Sequence, residues 1–359
     1  MTCIRISLII DHTLLGIGDD SGHITILDSA LDCSFSQSIL KFKTHDNAVF
    51  DLAFSDQDAT LATASGDRTA AVWDMKTRQC LAVLPGQEAY SGSIKQVCFG
   101  PTSNGKVIAT CSRDGSLNMW DLRCTGTKTG NIVHHKPIVN ITKAHDDAKV
   151  PSRKQNVHVP GITAIAYLPQ NDKLLLSACD ANGIIKLWDM RKAISPYRNN
   201  ARPVEKSPML GKVATRPFGI TSLAVGNGTV YAVSKDNWVY ALDGYRLSDG
   251  AYGAVTHPKL RGHSFYIKAS LSREGEMLAC GSSNECVLVF PTSHIKKGGY
   301  SSDGIGRALE GGHDQEVTGL SWSYEGYLAT LSDDRTCRLW SSALTPRNSN
   351  NNNKKKMDR

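Results

Sequence analysis

The stretch Ala64-Ser-Gly-Asp67-Arg-Thr-Ala-Ala-Val-Trp73-Asp74-Met-Lys76 places an acidic residue six positions before a tryptophan and a second Asp directly after it. The spacing recurs from Asp114 to Trp120, from Asn182 to Trp188 and from Asp334 to Trp340. Weaker copies run from Ser21 to Leu27, from Asp236 to Leu242 and from Asn284 to Phe290. The anchors therefore fall at 27, 73, 120, 188, 242, 290 and 340, separated by 46, 47, 68, 54, 48 and 50 residues. Five anchors are followed by Asp, and four of the six tryptophans occupy anchor positions. A fixed period of this size marks a repeat architecture, in which one supersecondary unit is copied and stacked.

Within each unit the pattern is of short strands broken by turns. In the third, 94–99 alternates, 102–106 turns, 107–112 is a second strand and 117–120 a third. Gly226-Asn227-Gly228 between two apolar runs is a hairpin signal in the fifth. No stretch sustains a helical period. Seven such units predict an all-β, seven-bladed WD40 β-propeller, one domain over residues 1–346. Residues 2–9 would supply a strand of blade one or the strand that closes the ring, and 341–347 compete for the closing role. The Asn/Lys tail 347–359, ending in Lys354-Lys355-Lys356 and Met-Asp-Arg, is predicted to be disordered because it has almost nothing to bury.

Composition narrows the function classes. The chain has 359 residues, 40% hydrophobic and 21% charged, which fits a globular protein and excludes a collagenous or wholly disordered one. Ten cysteines without a C-x-x-C pair suggest neither a zinc knuckle nor a disulfide framework, and point to a reducing compartment. No apolar run is long enough for a signal peptide or a membrane span, so no membrane partner is expected. The net charge of +7 is too small for a general or sequence-specific nucleic-acid binder. Most of it sits in one place: residues 191–216 hold seven Lys/Arg against Glu205. Prolines at 196, 203 and 208 should keep this segment extended. Arg198, Arg202, Lys206 and Lys212 are therefore candidates for a surface that binds an acidic partner, against the plainer reading of a solvated loop. The gap of 68 reflects an insertion, 146–160, between the third and fourth anchors.

His45, His263 and His313 precede their anchors by 28, 27 and 27 residues, and Ser65, Ser282 and Ser332 stand two before the turn Asp/Asn. The sets His45–Ser65–Asp67–Trp73 and His313–Ser332–Asp334–Trp340 resemble the His–Ser/Thr–Asp–Trp network of WD repeats, which implies a structural role in which the imidazole joins the turn carboxylate to the hydroxyl. A hydrolytic triad occurs once, whereas this arrangement recurs by blade, so no catalytic residue, cofactor or metal is expected and the protein is read as no enzyme. After three anchors the chain reads Trp-Asp-x-Lys/Arg, with Asp74 and Lys76, Asp121 and Arg123, and Asp189 and Arg191. Recurrence on adjacent blades suggests a shared contact surface on the rim opposite the histidines, where arginine suits bidentate capture of carboxylates or carbonyls.

This box resembles the one by which WD-repeat substrate receptors dock onto the damage-specific DNA-binding adaptor of cullin-4 RING ubiquitin ligases, and the chain is most similar to the denticleless family of such receptors. The resemblance is carried by His45-Asp-Asn-Ala-Val-Phe-Asp-Leu-Ala-Phe54, Trp120-Asp-Leu-Arg-Cys124, Gly183-Ile-Ile-Lys-Leu-Trp-Asp-Met-Arg-Lys192, Gly262-His-Ser-Phe-Tyr-Ile-Lys268 and Gly312-His-Asp-Gln-Glu-Val-Thr-Gly-Leu-Ser-Trp322. It runs from about Leu14 to Trp340, and members of the family commonly extend beyond the propeller at both ends. It implies a non-catalytic subunit that presents replication and cell-cycle proteins, some held on the sliding clamp, for ubiquitination. Asp121, Arg123, Asp189 and Arg191 would face the adaptor, with Asp74 and Lys76 in the same positions of blade two, and substrates would meet the opposite face. A nuclear location, shared with the cytoplasm, is the corresponding expectation. The competing reading is a WD-repeat scaffold of another nuclear complex, in chromatin or RNA processing, since fold alone does not fix function.

Overall fold

The computed structural model describes residues 3–6, 14–28, 38–55, 59–85, 91–146, 159–194, 201–211, 218–296, 299–301 and 306–341. These form seven sheets arranged as blades, each antiparallel through its own strands. The inner strand of each blade is Cys3–Ile6, Val49–Phe54, Ile94–Phe99, Ile162–Leu168, Ile220–Gly226, Ala269–Leu271 and Val317–Trp322. Each packs against the inner strand of the next, and Cys3–Ile6 touches both Val49–Phe54 and Val317–Trp322, so the ring closes. Of the two closing segments read from the sequence, the N-terminal one serves as the inner strand of blade one, paired with Leu14–Gly18. Blade seven shows three strands among the described residues; 342–347, and the tail to 359, lie outside them.

The core sits in the seams between blades. Each of the seven seams has its own apolar cluster, such as Ile24 and Ile26 against Leu52 and Leu61 between blades one and two. Another sets Leu15 and Leu27 against Ala329 and Leu331 where blade one meets blade seven. Alternation along each strand sends one set of side chains into one seam and the next set into the other, which is why the strands read as nearly continuous apolar runs. Buried polar side chains add a second tie between blades. Asp51 accepts the Val97 N–H (3.1 Å), Gln96 accepts that of Ile165 (2.9 Å), and Ser222 accepts that of Ala269 (2.9 Å). A buried polar group is tolerable only when paired, so these bonds fix register as well as adding stability.

The repeated acid is a turn device. Between second and third strands, Asp67, Asp114, Asp236 and Asp334 each accept the backbone N–H two residues on, at 2.9, 2.9, 3.2 and 2.7 Å. The intervening residue is left-handed, with φ of 70° at Arg68, 82° at Gly115, 67° at Asn237 and 67° at Arg335. Asp and Asn stabilise such turns with their own side chains. A second recurrent irregularity is a bulge at the start of the inner strand. The register slips across Phe50, Lys95, Thr163, Thr221 and Thr318. A bulge re-aims the extra residue, and three of them, Phe50, Lys95 and Thr163, line one cavity at the mouth of the central channel.

Two blades are widened by their neighbours. A hairpin from blade three, Thr127–Thr129 and Ile132–His134, lays its second strand parallel to Cys80–Leu84, the outer strand of blade two. From blade six, Gly299–Ser301 runs parallel to Ala251–Val255 at the edge of blade five.

Candidate functional site

The ring presents two faces. The turns after the second strands, and the loops that enter the inner strands, form one face; the turns after the third strands form the other. The histidine networks lie on the first and the Trp-Asp-x-Lys/Arg turns on the second.

On the histidine face, His45 Nδ1 lies 2.9 Å from Asp67 and Nε2 lies 2.7 Å from Thr63, with the imidazole 1% exposed. His313 repeats this with Asp334 at 3.0 Å and Thr330 at 2.8 Å. Trp340 donates its indole N–H to Thr330 at 2.9 Å. The indole can only donate, so Trp340 N–H donates to Thr330, whose hydroxyl also meets His313 Nε2, while Nδ1 meets Asp334. The hydroxyl of the network is thus Thr63 or Thr330, a correction to the reading of Ser65 and Ser332. The two candidates lie two residues apart on the same side of a strand. The serine, one pair closer to the turn, is taken up by backbone: Ser65 donates to the Asn47 and Ala48 carbonyls, Ser332 to that of Gln315. Trp73 does not join; its buried Nε1 has no hydrogen-bond partner among the described residues, and its ring packs edge-on against Phe42 at 5.4 Å.

His263 is a second correction. It is exposed, because its blade has Asn284 for the turn acid and buried Cys280 where blades two and seven have threonine, so both partners are missing. The histidine that spacing did not reveal is His145. Its Nε2 meets Ser177 at 2.9 Å, and Trp188 donates to the same hydroxyl at 2.8 Å. It stands 43 residues before its anchor, and removing the insertion 146–160 restores the spacing to 28. Burial pushes the Asp67 and Asp334 carboxyls up. The His45 and Thr69 bonds at Asp67, and Thr336, the Asp314 N–H and His313 at Asp334, outweigh it and hold both at about 2.

On the opposite face, the third strands end at Ala70–Asp74, Leu117–Asp121 and Ile185–Asp189, and each basic residue follows in the turn. Arg123 forks onto its own Asp121, Nε at 2.8 Å and Nη2 at 2.7 Å, and Arg191 onto Asp189 at 3.1 and 2.9 Å. The carboxylates are nearly covered, at 14% and 6% exposed, while the arginines are 64% and 61% exposed. Each fork holds its carboxyl below the ordinary range, the arginine's hydrogen bond being the largest cause. The result is two rigid guanidinium groups on neighbouring blades with their outer N–H groups facing solvent. Blade two differs. Asp74 accepts the Thr77 N–H at 2.7 Å, and exposed Lys76 makes no ion pair with it among the described residues.

The basic segment after blade four is only partly irregular. Glu205–Lys206 is the outer strand of that blade, with Lys206 opposite Lys186 and Glu205 opposite Leu187. Arg202 and Lys206 are exposed there. Arg198, Lys212 and the core of the insertion, 147–158, lie outside the described residues. Among the described residues no group of three or more His, Cys, Asp or Glu is placed to hold a metal ion. None of the helices described is long and apolar enough to cross a membrane.

The closed ring, the Asp-capped turns and the anchor tryptophans define a WD-repeat propeller, and the WD domain, G-beta repeat pattern matches residues 36–74, 78–121, 149–189 and 307–341. Among curated proteins, the chain is 33% identical over 350 residues to Cell division cycle protein cdt2 of Schizosaccharomyces pombe, covering 93% of this chain and 67% of that one. It is 32% identical over 365 residues to Denticleless protein homolog B of Xenopus laevis, covering 95% and 48%, and 30% identical over 348 residues to the Homo sapiens homolog, covering 91% and 44%. The chain belongs to the Cdt2/denticleless family. It spans two thirds of the fission-yeast relative and about half of the vertebrate ones.

Proposed function

We propose that the protein is a non-catalytic, nuclear substrate receptor of a cullin-4 RING ubiquitin ligase, docking on the ligase adaptor through the Arg123 and Arg191 turns. The observation that carries this is the pair of exposed, self-braced Asp–Arg forks on adjacent blades. An arginine already held by its own aspartate has less side-chain freedom to lose on association. Its remaining N–H groups suit the carbonyls or carboxylates of a partner. Family membership supports the same reading. Lys76, compact and unbraced, would extend the contact as a point charge. Arg202 and Lys206 lie beyond the third strand of blade four and would contribute to a different contact, with an acidic partner. The proteins presented would be replication and cell-cycle factors, some of them carried on the sliding clamp.

The test is co-purification of the cullin-4 adaptor with Arg123→Ala, Arg191→Ala and the double variant. Interface arginines often dominate binding, so the double variant should lose about tenfold or more in adaptor affinity. Its thermal melt should fall only slightly, because both arginines are exposed and Asp121 and Asp189 each keep the backbone N–H two residues on. Undiminished binding by a folded double variant would remove this interface. A stable complex that contains neither adaptor nor cullin would favour the scaffold reading.

A further inference from the structure

The mouth of the channel on the histidine face carries a cavity of about 280 Å³ that the adaptor-facing turns do not use. It is built by the bulges and entry loops described above. Tyr266, in the loop entering blade six, reaches across the ring and stacks on Phe50 of blade two, centroids 6.1 Å apart and planes at 26°. Lys95, the bulge residue of blade three, sets its ammonium 3.8 Å from the Phe50 centroid and 5.1 Å from that of Tyr266. Arg113 and Lys268 complete the cationic lining, and Asp180 is its one acid among the described residues. At the rim, Lys235 lies 4.0 Å over Phe265, and Phe265 and Tyr266 are 45% and 43% exposed. Asp51, buried next to Phe50, is engaged with the Val97 N–H.

Among the described residues, no carboxylate lies within 4.0 Å of the Lys95, Arg113 or Lys268 side-chain nitrogens. The lining therefore carries three cations and one anion, a net +2. Burial, with Lys268 and Arg113 nearby, brings Lys95 down to about 8, as expected for a charge held near like charges. Aromatic faces attract a cation but do not neutralise it. A half-enclosed site of this kind is complementary to a compact dianion beside an apolar group.

We propose that this mouth binds a phosphorylated side chain of a peptide, the phosphate meeting Lys95, Arg113 and Lys268 while an apolar neighbour packs on Phe265 and Tyr266. A phosphoserine or phosphothreonine carries about −1.5 to −2 at neutral pH, which matches the lining, whereas a single carboxylate would leave it with a surplus. Arginine and lysine together are suited to phosphate, one through its planar fork and the other as a point charge. The volume of about 280 Å³ holds one or two side chains, too small a space for a row of stacked nucleobases. The inference deepens the receptor reading and rests on it for the expectation that a peptide is what reaches this face.

The experiment is selection from a degenerate peptide library centred on phosphoserine or phosphothreonine, with its unphosphorylated twin, on the full chain. The expected result is about tenfold or greater preference for the phosphorylated library, with an apolar or aromatic residue selected at one flank. Affinity of the best selected peptide should fall about tenfold in Lys95→Gln/Lys268→Gln, and flank selection should disappear in Tyr266→Ala. Adaptor binding should be unchanged in both variants, and Tyr266→Ala, which gives up the Phe50 stack, should remain folded with a slightly lower melting temperature. Equal capture of the two libraries, unchanged affinity in the lysine variant, or displacement of the peptide by a short single-stranded oligonucleotide at lower concentration than by the peptide itself would overturn the inference. The two proposals fail separately. Adaptor loss in the arginine variants without phosphopeptide selection overturns only the mouth, and the converse overturns only the adaptor interface.

Discussion

Replacing Thr330 by valine tests the histidine-face network at its central atom. The side chains are close in shape, so the substitution removes a hydroxyl while leaving packing nearly intact. Two groups lose their partner: His313 Nε2, on a ring only 1% exposed, and the Trp340 indole N–H, which is partly buried. A buried polar group left unpaired costs about 1–3 kcal/mol, and the indole, with some access to water, falls at the low end, giving roughly 2–4 kcal/mol in all. At about 2.1 cal/mol/K per residue, a ring of roughly 340 residues has an unfolding entropy near 0.7 kcal/mol/K, so the melting temperature should drop by roughly 3–6 °C. The assays are calorimetry and urea unfolding followed by tryptophan fluorescence. Thr63→Val should lose less, because Trp73 makes no bond to Thr63. The reasoning fails if Thr330→Val lies within about 0.5 kcal/mol of the parent, the range of ordinary surface changes. It fails equally if Thr63→Val proves the costlier of the two.

Two further outcomes follow from the same turns. Asp67 and Asp334 have folded values of about 2 against 3.8 for the ordinary side chain. A depressed value means the stabilisation is complete above about pH 4 and fades as pH falls towards 2. The urea midpoint of the parent should drop across that window, and Asp67→Asn should start lower at neutral pH and show a shallower acid limb; parallel limbs would refute the assignment. In blade six, Cys280→Thr supplies the missing hydroxyl without its histidine, since His263 is exposed. It should destabilise by about 1 kcal/mol or more in urea titration. A gain in stability would mean that His263 swings inward to meet it.

The repeat made the ring legible, because a polar residue that caps a turn and an apolar anchor that fills a seam recur at the same spacing in every blade. What spacing could not resolve was which of two hydroxyls faces the imidazole. Thr63 and Ser65 point the same way from a strand of period two, and only the pairing with the third strand and the entry loop separates them. His145 was hidden by an insertion that stretches its spacing without moving it in space. Lys206 was hidden by prolines that suggested an irregular segment where two residues complete a blade. The Asp–Arg forks were visible as a motif, but not that Arg123 and Arg191 would close onto their own aspartates while Lys76 would not. The Phe50–Tyr266 stack joins blades two and six, 216 residues apart, and no local pattern announces it.

The borrowed edge strands bear on how the ring comes apart. A propeller whose blades met only through side chains could lose one module and leave its neighbours' ladders whole. Here the outer edge of blade two is covered by backbone hydrogen bonds from the hairpin 127–134, and that of blade five by 299–301. Unzipping blade three therefore uncovers amides in Cys80–Leu84, and unzipping blade six uncovers amides in Ala251–Val255. Hydrogen exchange in those strands should follow the neighbour's opening as well as their own. The mechanical seams of this molecule do not coincide with the sequence boundaries of its repeats, and a splice made between blades two and three would cut through a shared sheet.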